Sequence, residues 1–160
     1  MNRHMKALLM LISGFGFTAS AWAHGMALAQ AEIPGGSRVL KFQLGIFVVW
    51  VPVIILQYRM ARDNTGHETD QNLWTDYPTW LRVAQYLLFF YAAFNLFTTD
   101  VPPGWNRIHF RTDDPPLPAI VQIQSSVWMS FYFAAFAMFY SSFRRLSRPA
   151  PHEANPETDN

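Results

Sequence analysis

The sequence predicts an all-α protein: an integral membrane helical bundle with three transmembrane helices, preceded by an N-terminal signal peptide or a fourth helix. Two observations lead to this prediction. Of the 160 residues, 51% are hydrophobic and 14% are charged, whereas roughly 25% of an average soluble domain is charged. The apolar residues are also gathered into long runs with polar stretches between them, which is the pattern left by helices that cross lipid.

The N-terminal segment has two interpretations, and the sequence leaves both open. Arg3 and Lys6 precede an apolar run, and the small residues of Ala21-Trp22-Ala23 then form a site of the kind that signal peptidase cleaves. The apolar run is at the short limit for a span, which needs about 20 residues. Residues 1–23 are therefore expected to be a signal peptide or the first transmembrane helix.

Three further segments are expected to cross the membrane, within a transmembrane domain of residues 24–148. The second segment contains Lys41 near one end, where its ammonium group reaches the lipid headgroups. It also contains Pro52, which is expected to kink the helix because proline removes one backbone donor and crowds the preceding turn. A Tyr-Pro pair precedes the third segment and indicates a helix boundary. The three spans cover residues 39–58, 79–97 and 119–143.

The connections between these segments are polar. Residues 24–37 end in a Pro-Gly-Gly-Ser stretch, residues 59–78 are hydrophilic, and residues 98–118 are rich in proline; all three are expected to be loops. Residues 149–160 form a polar, proline-bearing tail that is expected to be disordered and cytoplasmic.

The distribution of lysine and arginine predicts the orientation in a bacterial inner membrane. With the N-terminus inside, eight basic residues fall on the cytoplasmic side: Arg3, Lys6, Arg59, Arg62, Arg82, Arg144, Arg145 and Arg148. Four fall on the other side: Arg38, Lys41, Arg107 and Arg111. Because cytoplasmic loops are enriched in these residues, loop 59–78 and the C-terminus are expected in the cytoplasm, with loops 24–37 and 98–118 outside.

Small side chains recur at helical spacing along the fourth segment and are expected to let another helix approach closely. This strip consists of Ser126, Ser130, Ala134, Ala137 and Ser141. In lipid, such small residues are typical of helix interfaces, and buried amides add hydrogen bonds of about 0.6 kcal/mol each. The other residues expected to shape the packing of the helices are Gly45, Pro52 and Asn95.

Five stretches between residues 42 and 142 are distinctive: Leu44 to Pro52, Pro78 to Trp80, Tyr91 to Asn95, Trp128 to Tyr132 and Phe139 to Ser141. Together they resemble a family of small bacterial integral membrane proteins of unknown function. In that family a histidine commonly precedes the tryptophan of the last segment, whereas Val127 does so here. The resemblance implies a membrane architecture and no particular activity.

The residue types present narrow the possible chemistry. There is no cysteine, which excludes disulfides and thiolate sites. The three predicted spans contain neither a histidine nor a carboxylate, so bis-histidine haem ligation and a buried switching charge lack their usual residues. One metal site is conceivable. Cleavage after Ala23 would leave His24 as the first residue, and its amino group and imidazole are expected to chelate copper together with His109.

The sequence therefore predicts no cofactor and no catalytic residue apart from this possible copper site, and a net charge of +1 gives no reason to expect nucleic acid. We expect an accessory, assembly or scaffold subunit of a membrane complex, in contact with the bilayer and with a protein partner or further copies of itself. Two alternatives stay open: a small oligomeric transporter or channel with Asn95 on its path, and a copper-binding membrane protein that uses His24.

Overall fold

The computed structural model describes residues 3–32, 34, 42–63, 77–101 and 118–146. Within these ranges every regular element is a helix, and the chain forms α1 (Arg3–Leu28), α2 (Phe42–Asp63), α3 (Thr79–Thr98) and α4 (Pro118–Leu146). The predicted all-α fold is confirmed, and α2, α3 and α4 overlap the three predicted spans. Helix α2 continues through Pro52 and beyond residue 58. Two of the predicted loops begin later than expected, because α1 covers residues 24–28 and α2 covers residues 59–63; both stretches are rich in helix-forming Ala, Met, Leu and Arg. The tail 149–160 and most of loops 59–78 and 98–118 lie outside the described residues.

Helix α1 continues past the predicted cleavage site and ends in a well-formed cap. The amide of Ala31 donates to the carbonyl of Met26, and the amide of Gln30 donates to that of Ala27. Gln30 has a φ of 53°, which is the left-handed conformation that a Schellman motif requires at this position. The helix is therefore closed by its own backbone four residues beyond His24.

Helix α3 begins where its proline predicts. Pro78 is the N-cap residue with φ −53° and ψ 134°, and its carbonyl accepts a hydrogen bond from the amide of Arg82 at 3.2 Å. The preceding Tyr77 is 3% exposed, and burial raises the pKa of its phenol well above the ordinary value. Tyr77 thus enters the core as a neutral side chain.

Helix α4 lies at the centre of the bundle, where it packs most extensively against α1 and also against α3 and α2. Lys6 Nζ donates to Ser142 Oγ at 2.7 Å, while His24 contacts Ser125, so α1 and α4 run antiparallel. The starts of α1 and α3 and the ends of α2 and α4 share one end of the bundle. We call this end the N-terminal end and the other the opposite end.

Tyr132 of α4 is held between two glycines of neighbouring helices. A Cβ atom added at Gly16 of α1 would overlap carbons of the Tyr132 ring, and one added at Gly45 of α2 would overlap its hydroxyl. The ring occupies the space that a side chain would need at either position, and Tyr132 is 2% exposed. These two glycines therefore set how closely α1 and α2 approach α4.

By length and mean hydropathy, one helix of the described residues, Arg3–Leu28, could cross a membrane, and a signal sequence near an N-terminus would satisfy the same criterion. The apolar part of α2 is shorter, from Leu44 to Arg59. In α3, Arg82, Gln85 and Asn95 lower the mean hydropathy, as the serines and glutamines do in α4. The three transmembrane helices predicted from the sequence are thus not established by hydropathy alone.

The glycine at position 16 provides a direct test of this packing. Replacing Gly16 by Ala is expected to lower the free energy of unfolding by about 1–3 kcal/mol, because the Tyr132 ring must move to admit the methyl group. Gly25 of the same helix has no atom within 4 Å of an added Cβ, so Gly25→Ala is the matched control and should be neutral or stabilising. Equal melting temperatures for the two variants would contradict the packing described.

Candidate functional site

A cluster of polar side chains joins α1, α3 and α4 about one turn inside the opposite end of the bundle. Three of its members, His24, Asn95 and Ser125, are buried, whereas Gln122 is half-buried and Tyr91 is 37% exposed. His24 of α1 is at its centre and is 5% exposed. Tyr91 and Asn95 approach it from α3, and Gln122 and Ser125 from α4. These five residues, the His24 cluster, form the densest set of hydrogen bonds between helices in the described part of the chain.

Both ring nitrogens of His24 have partners. Nδ1 lies 2.9 Å from Ser125 Oγ and 3.2 Å from the carbonyl oxygen of Gln122. Nε2 lies 2.6 Å from the hydroxyl of Tyr91, whose ring also meets the imidazole edge to face with a centroid separation of 5.3 Å. The imidazole is therefore held from α3 on one side and from α4 on the other.

The partners determine which tautomer fits. A carbonyl oxygen only accepts, so Nδ1 carries the proton that faces the Gln122 carbonyl. Ser125 donates its hydroxyl proton to the carbonyl of Val121, which leaves its oxygen as a further acceptor for Nδ1–H. Nε2 is then the acceptor for the hydroxyl of Tyr91. A neutral imidazole protonated on Nδ1 satisfies every contact in the cluster.

The cluster continues from the tyrosine to the amides. Asn95 donates through Nδ2 to the carbonyl of Tyr91 at 3.0 Å, and its Oδ1 accepts from Gln122 Nε2 at 2.8 Å. Asn95 is 3% exposed. Since both ends of its amide are engaged within the protein, Asn95 fastens α3 to α4.

Of the two histidines predicted to bind copper, His24 and His109, the structure describes His24. His109 lies outside the described residues. In the full chain, His24 is an internal residue of α1, and its two ring nitrogens are already bonded as above. The described residues contain no group of three or more His, Cys, Asp or Glu side chains able to hold a metal ion. A copper site remains a prediction for a chain cleaved after Ala23, in which His24 would be the terminal residue.

The residues predicted to shape helix packing mostly face the interior. The small strip on α4 is buried along its length, at Ser126, Ser130, Ala134, Ala137 and Ser141. Ser130 Oγ donates to the carbonyl of Leu88 at 2.8 Å, which ties the middle of α4 to α3. Gly45 contacts Tyr132, and Pro52 is half-buried within α2.

Sequence reasoning missed Tyr91 and Ser125 as partners of His24. Tyr91 lies within an aromatic run, and no feature of the sequence marks it as a hydrogen-bond partner of a histidine. Asn95, four residues later and therefore on the same face of the helix, was the signal that a polar face exists there. Ser125 and Gln122 likewise share a face of α4.

Comparison with known proteins does not assign the chain to a family. No protein-family model matches the chain, and neither a curated protein nor a solved structure matches it. The resemblance seen in the sequence stays a prediction.

The bond between His24 and Tyr91 can be tested by a double-mutant cycle. Tyr91→Phe is expected to lower the free energy of unfolding by about 1–3 kcal/mol, because it leaves a buried acceptor on His24 Nε2 without a donor. In a His24→Phe background the same change should cost almost nothing, since the acceptor is already gone. Tyr58→Phe, at a 70% exposed tyrosine, is the control. Additive effects of the two substitutions would refute the coupling.

Proposed function

We propose that all four helices cross a bilayer and that the protein is an accessory subunit that holds or assembles a membrane complex. The observation that supports membrane placement is an inversion of polarity. Large apolar side chains such as Phe15, Phe47 and Phe97 are 63–75% exposed. Meanwhile seven serines, His24 and Asn95 are buried. Water would penalise such a surface, since soluble monomers rarely expose large contiguous apolar patches, whereas lipid is a good solvent for it.

This inversion also explains the modest mean hydropathy of α2, α3 and α4. Helix α3 carries its amide Asn95 on the buried face, while Leu87, Phe90 and Phe94 on the outer face are 63–68% exposed. The polar residues thus lower the mean hydropathy of the helix without contacting lipid. The shortest of the four helices has 20 residues, enough to cross the roughly 30 Å hydrocarbon core at 1.5 Å per residue.

Retention of α1 in the mature protein forms part of the proposal. Ala23 and Ala27 are buried at 3% and 0% exposure, so the helix packs against α4 on both sides of the predicted cleavage site. Removing residues 1–23 would take away Gly16, which receives Tyr132, and Lys6, which donates to Ser142. The mature bundle would lose its most extensive helix contact.

The charges of the described residues support the predicted orientation. All lysines and arginines of this part of the chain lie toward the N-terminal end of the bundle: Arg3, Lys6, Arg59, Arg62, Arg82, Arg144 and Arg145. Arg3 and Arg144 stack over the rings of Phe143 and Tyr140 at 5.1 and 5.9 Å, as side chains do at a headgroup boundary. This end is therefore assigned to the cytoplasm of a bacterial-type cell.

The accessory role is supported by the outer face of α3. Six exposed apolar residues repeat at alternating intervals of three and four, and we call them the α3 seam: Trp80, Val83, Leu87, Phe90, Phe94 and Phe97. Such a 3-4 repeat is the spacing with which helices pack side by side. Four of the six are aromatic, and aromatic residues are enriched in protein interfaces.

The large side chains of the α3 seam favour contact with a helix of a different protein over contact with a second copy of this chain. Close packing of helices in lipid relies on small residues at the contact, and the seam has none. Two seams facing each other would hold the backbones apart. A partner helix with a small-residue face, like that of α4, would accept these rings as α1 and α2 accept Tyr132. The transporter alternative is less favoured, because both ends of the Asn95 amide are bonded within the bundle.

Single cysteines can test the topology cleanly, since the chain has none of its own. The exposed residues His4, Glu32, Thr79 and Asp100 are replaced one at a time by Cys. A membrane-impermeant maleimide should label Glu32→Cys and Asp100→Cys in intact cells, and His4→Cys and Thr79→Cys only after lysis. Labelling of positions 32 and 79 from the same side would refute four crossings. Loss of position 4 from the mature protein would refute retention of α1.

We expect binding of a partner to the α3 seam to depend on the large aromatic side chains of the seam. After crosslinking in native membranes and mild-detergent purification, Phe90→Leu combined with Phe94→Leu should reduce the copurified partner several-fold. Phe15→Leu, at a 69% exposed position of α1, is the matched control and should not. A monodisperse protein without partner, or equal yields from the two variants, would overturn the accessory role. Crosslinks between copies of this chain would replace the distinct partner with a homo-oligomer.

A further inference from the structure

A cavity of about 630 Å³ lies between α2 and α3, with α4 as its floor. Its volume is within the range of roughly 300–1,000 Å³ typical of small-molecule sites. The bundle leaves this space open because α2 and α3 both pack on α4 while standing apart from each other along this stretch. Nothing in the His24 cluster or the α3 seam makes use of it.

The cavity has a polar half and an aromatic half. Gln57, Arg82 and Gln85 line it toward the N-terminal end, in the first turns of α3 and near the end of α2. Trp50 and Phe131 line the deeper part, with their rings edge to face at a centroid separation of 5.5 Å. The lining of the cavity therefore changes from charged to apolar along the helix axis. An amphiphile lying along the bundle has its polar and apolar groups in the same order.

Arg82 provides the positive charge of the polar half. Its guanidinium donates to the carbonyl of Tyr77 at 3.5 Å, and a guanidinium has five N–H groups, so it serves several acceptors at once. It lies one turn into α3, at about the depth of Trp80, which is 62% exposed and marks headgroup depth. A phosphate is the group that suits this geometry and charge.

Gln85 adds a hydrogen-bond acceptor one turn deeper. Its Nε2 donates to the carbonyl of Ser130 at 3.3 Å, which fixes the orientation of the amide, because the reverse would place two oxygens together. Its Oε1 is buried and has no hydrogen-bond partner among the described residues. A buried acceptor left without a donor is destabilising, so a ligand hydroxyl just below the phosphate would be favoured here.

We propose that this cavity binds a single-chain anionic phospholipid from the bilayer. Its phosphate contacts Arg82, its free glycerol hydroxyl donates to Gln85 Oε1, and its one acyl chain lies against the rings of Trp50 and Phe131. The proposal rests on the membrane placement proposed above. A zwitterionic headgroup lacks the net charge, and a diacyl lipid has an ester where the hydroxyl should be.

Three lipids with the same oleoyl chain separate these contributions when titrated into the detergent-solubilised full chain and followed by native mass spectrometry. Monooleoyl phosphatidic acid should bind about fivefold more tightly than monooleoyl phosphatidylcholine, which corresponds to about 1 kcal/mol for one arginine near the surface. It should also bind about fivefold more tightly than dioleoyl phosphatidic acid, which lacks the hydroxyl. Glycerol phosphate, which has no chain, should not bind.

Variants assign each difference to its residue. Arg82→Gln should abolish the preference over the phosphatidylcholine, and Gln85→Leu should abolish the preference over the diacyl lipid. Arg144→Gln removes the same charge from the same end of the bundle, outside the cavity, and should change neither ratio. Equal binding of the three lipids, binding of glycerol phosphate, or equal effects of Arg82→Gln and Arg144→Gln would overturn the lipid site. A failure of membrane placement appears separately, as wrong sidedness of the single cysteines.

Discussion

The contact between α1 and α4 is the interaction on which the rest of the bundle depends. It is built from small side chains, including Ser13, Ser20, Ala23 and Ala27 on α1, none of them more than 3% exposed. Close approach of two backbones gains dispersion energy over many atom pairs at once. This approach also places His24 within reach of α3 and α4. The polar cluster is thus a consequence of helix packing.

Many polar groups inside this bundle are paired within the protein, often with a backbone carbonyl one turn away, and Gln85 Oε1 at the cavity is an exception. Ser13 and Ser20 donate to the carbonyls of Leu9 and Gly16, one turn earlier in their own helix, each at 2.7 Å. Residues that cannot reach their own backbone, such as His24, are paired across helices. Burial makes an unpaired polar group costly, and in the bilayer proposed above the cost would be several kcal/mol. The tautomer of His24 and the bonded amide of Asn95 are consistent with this packing constraint.

Periodicity and boundary residues were enough to predict where the helices lie, although α1 and α2 each extend five residues into a predicted loop. Pro78 marked the start of α3, and the small strip from Ser126 to Ser141 marked the buried face of α4, because local sequence controls both features. The His24 cluster was beyond prediction, because it depends on α1 joining the bundle, and the sequence allowed residues 1–23 to be a cleaved signal. The fit of Tyr132 between Gly16 and Gly45 is likewise a contact between distant segments, and no single segment encodes it.

Helix α3 is where the bundle can meet other molecules. It packs on α4 through one face, with Ser130 and Gln122 as its hydrogen-bond partners, and most of its remaining circumference is directed outward. The α3 seam and the cavity beside Arg82 occupy adjacent parts of that circumference. A lipid held at Arg82 would lie alongside a helix docked on the seam, and its acyl chain would fill the groove next to the new interface. The lipid site and the partner site would then stabilise each other through shared contacts, without any change in the fold of the bundle.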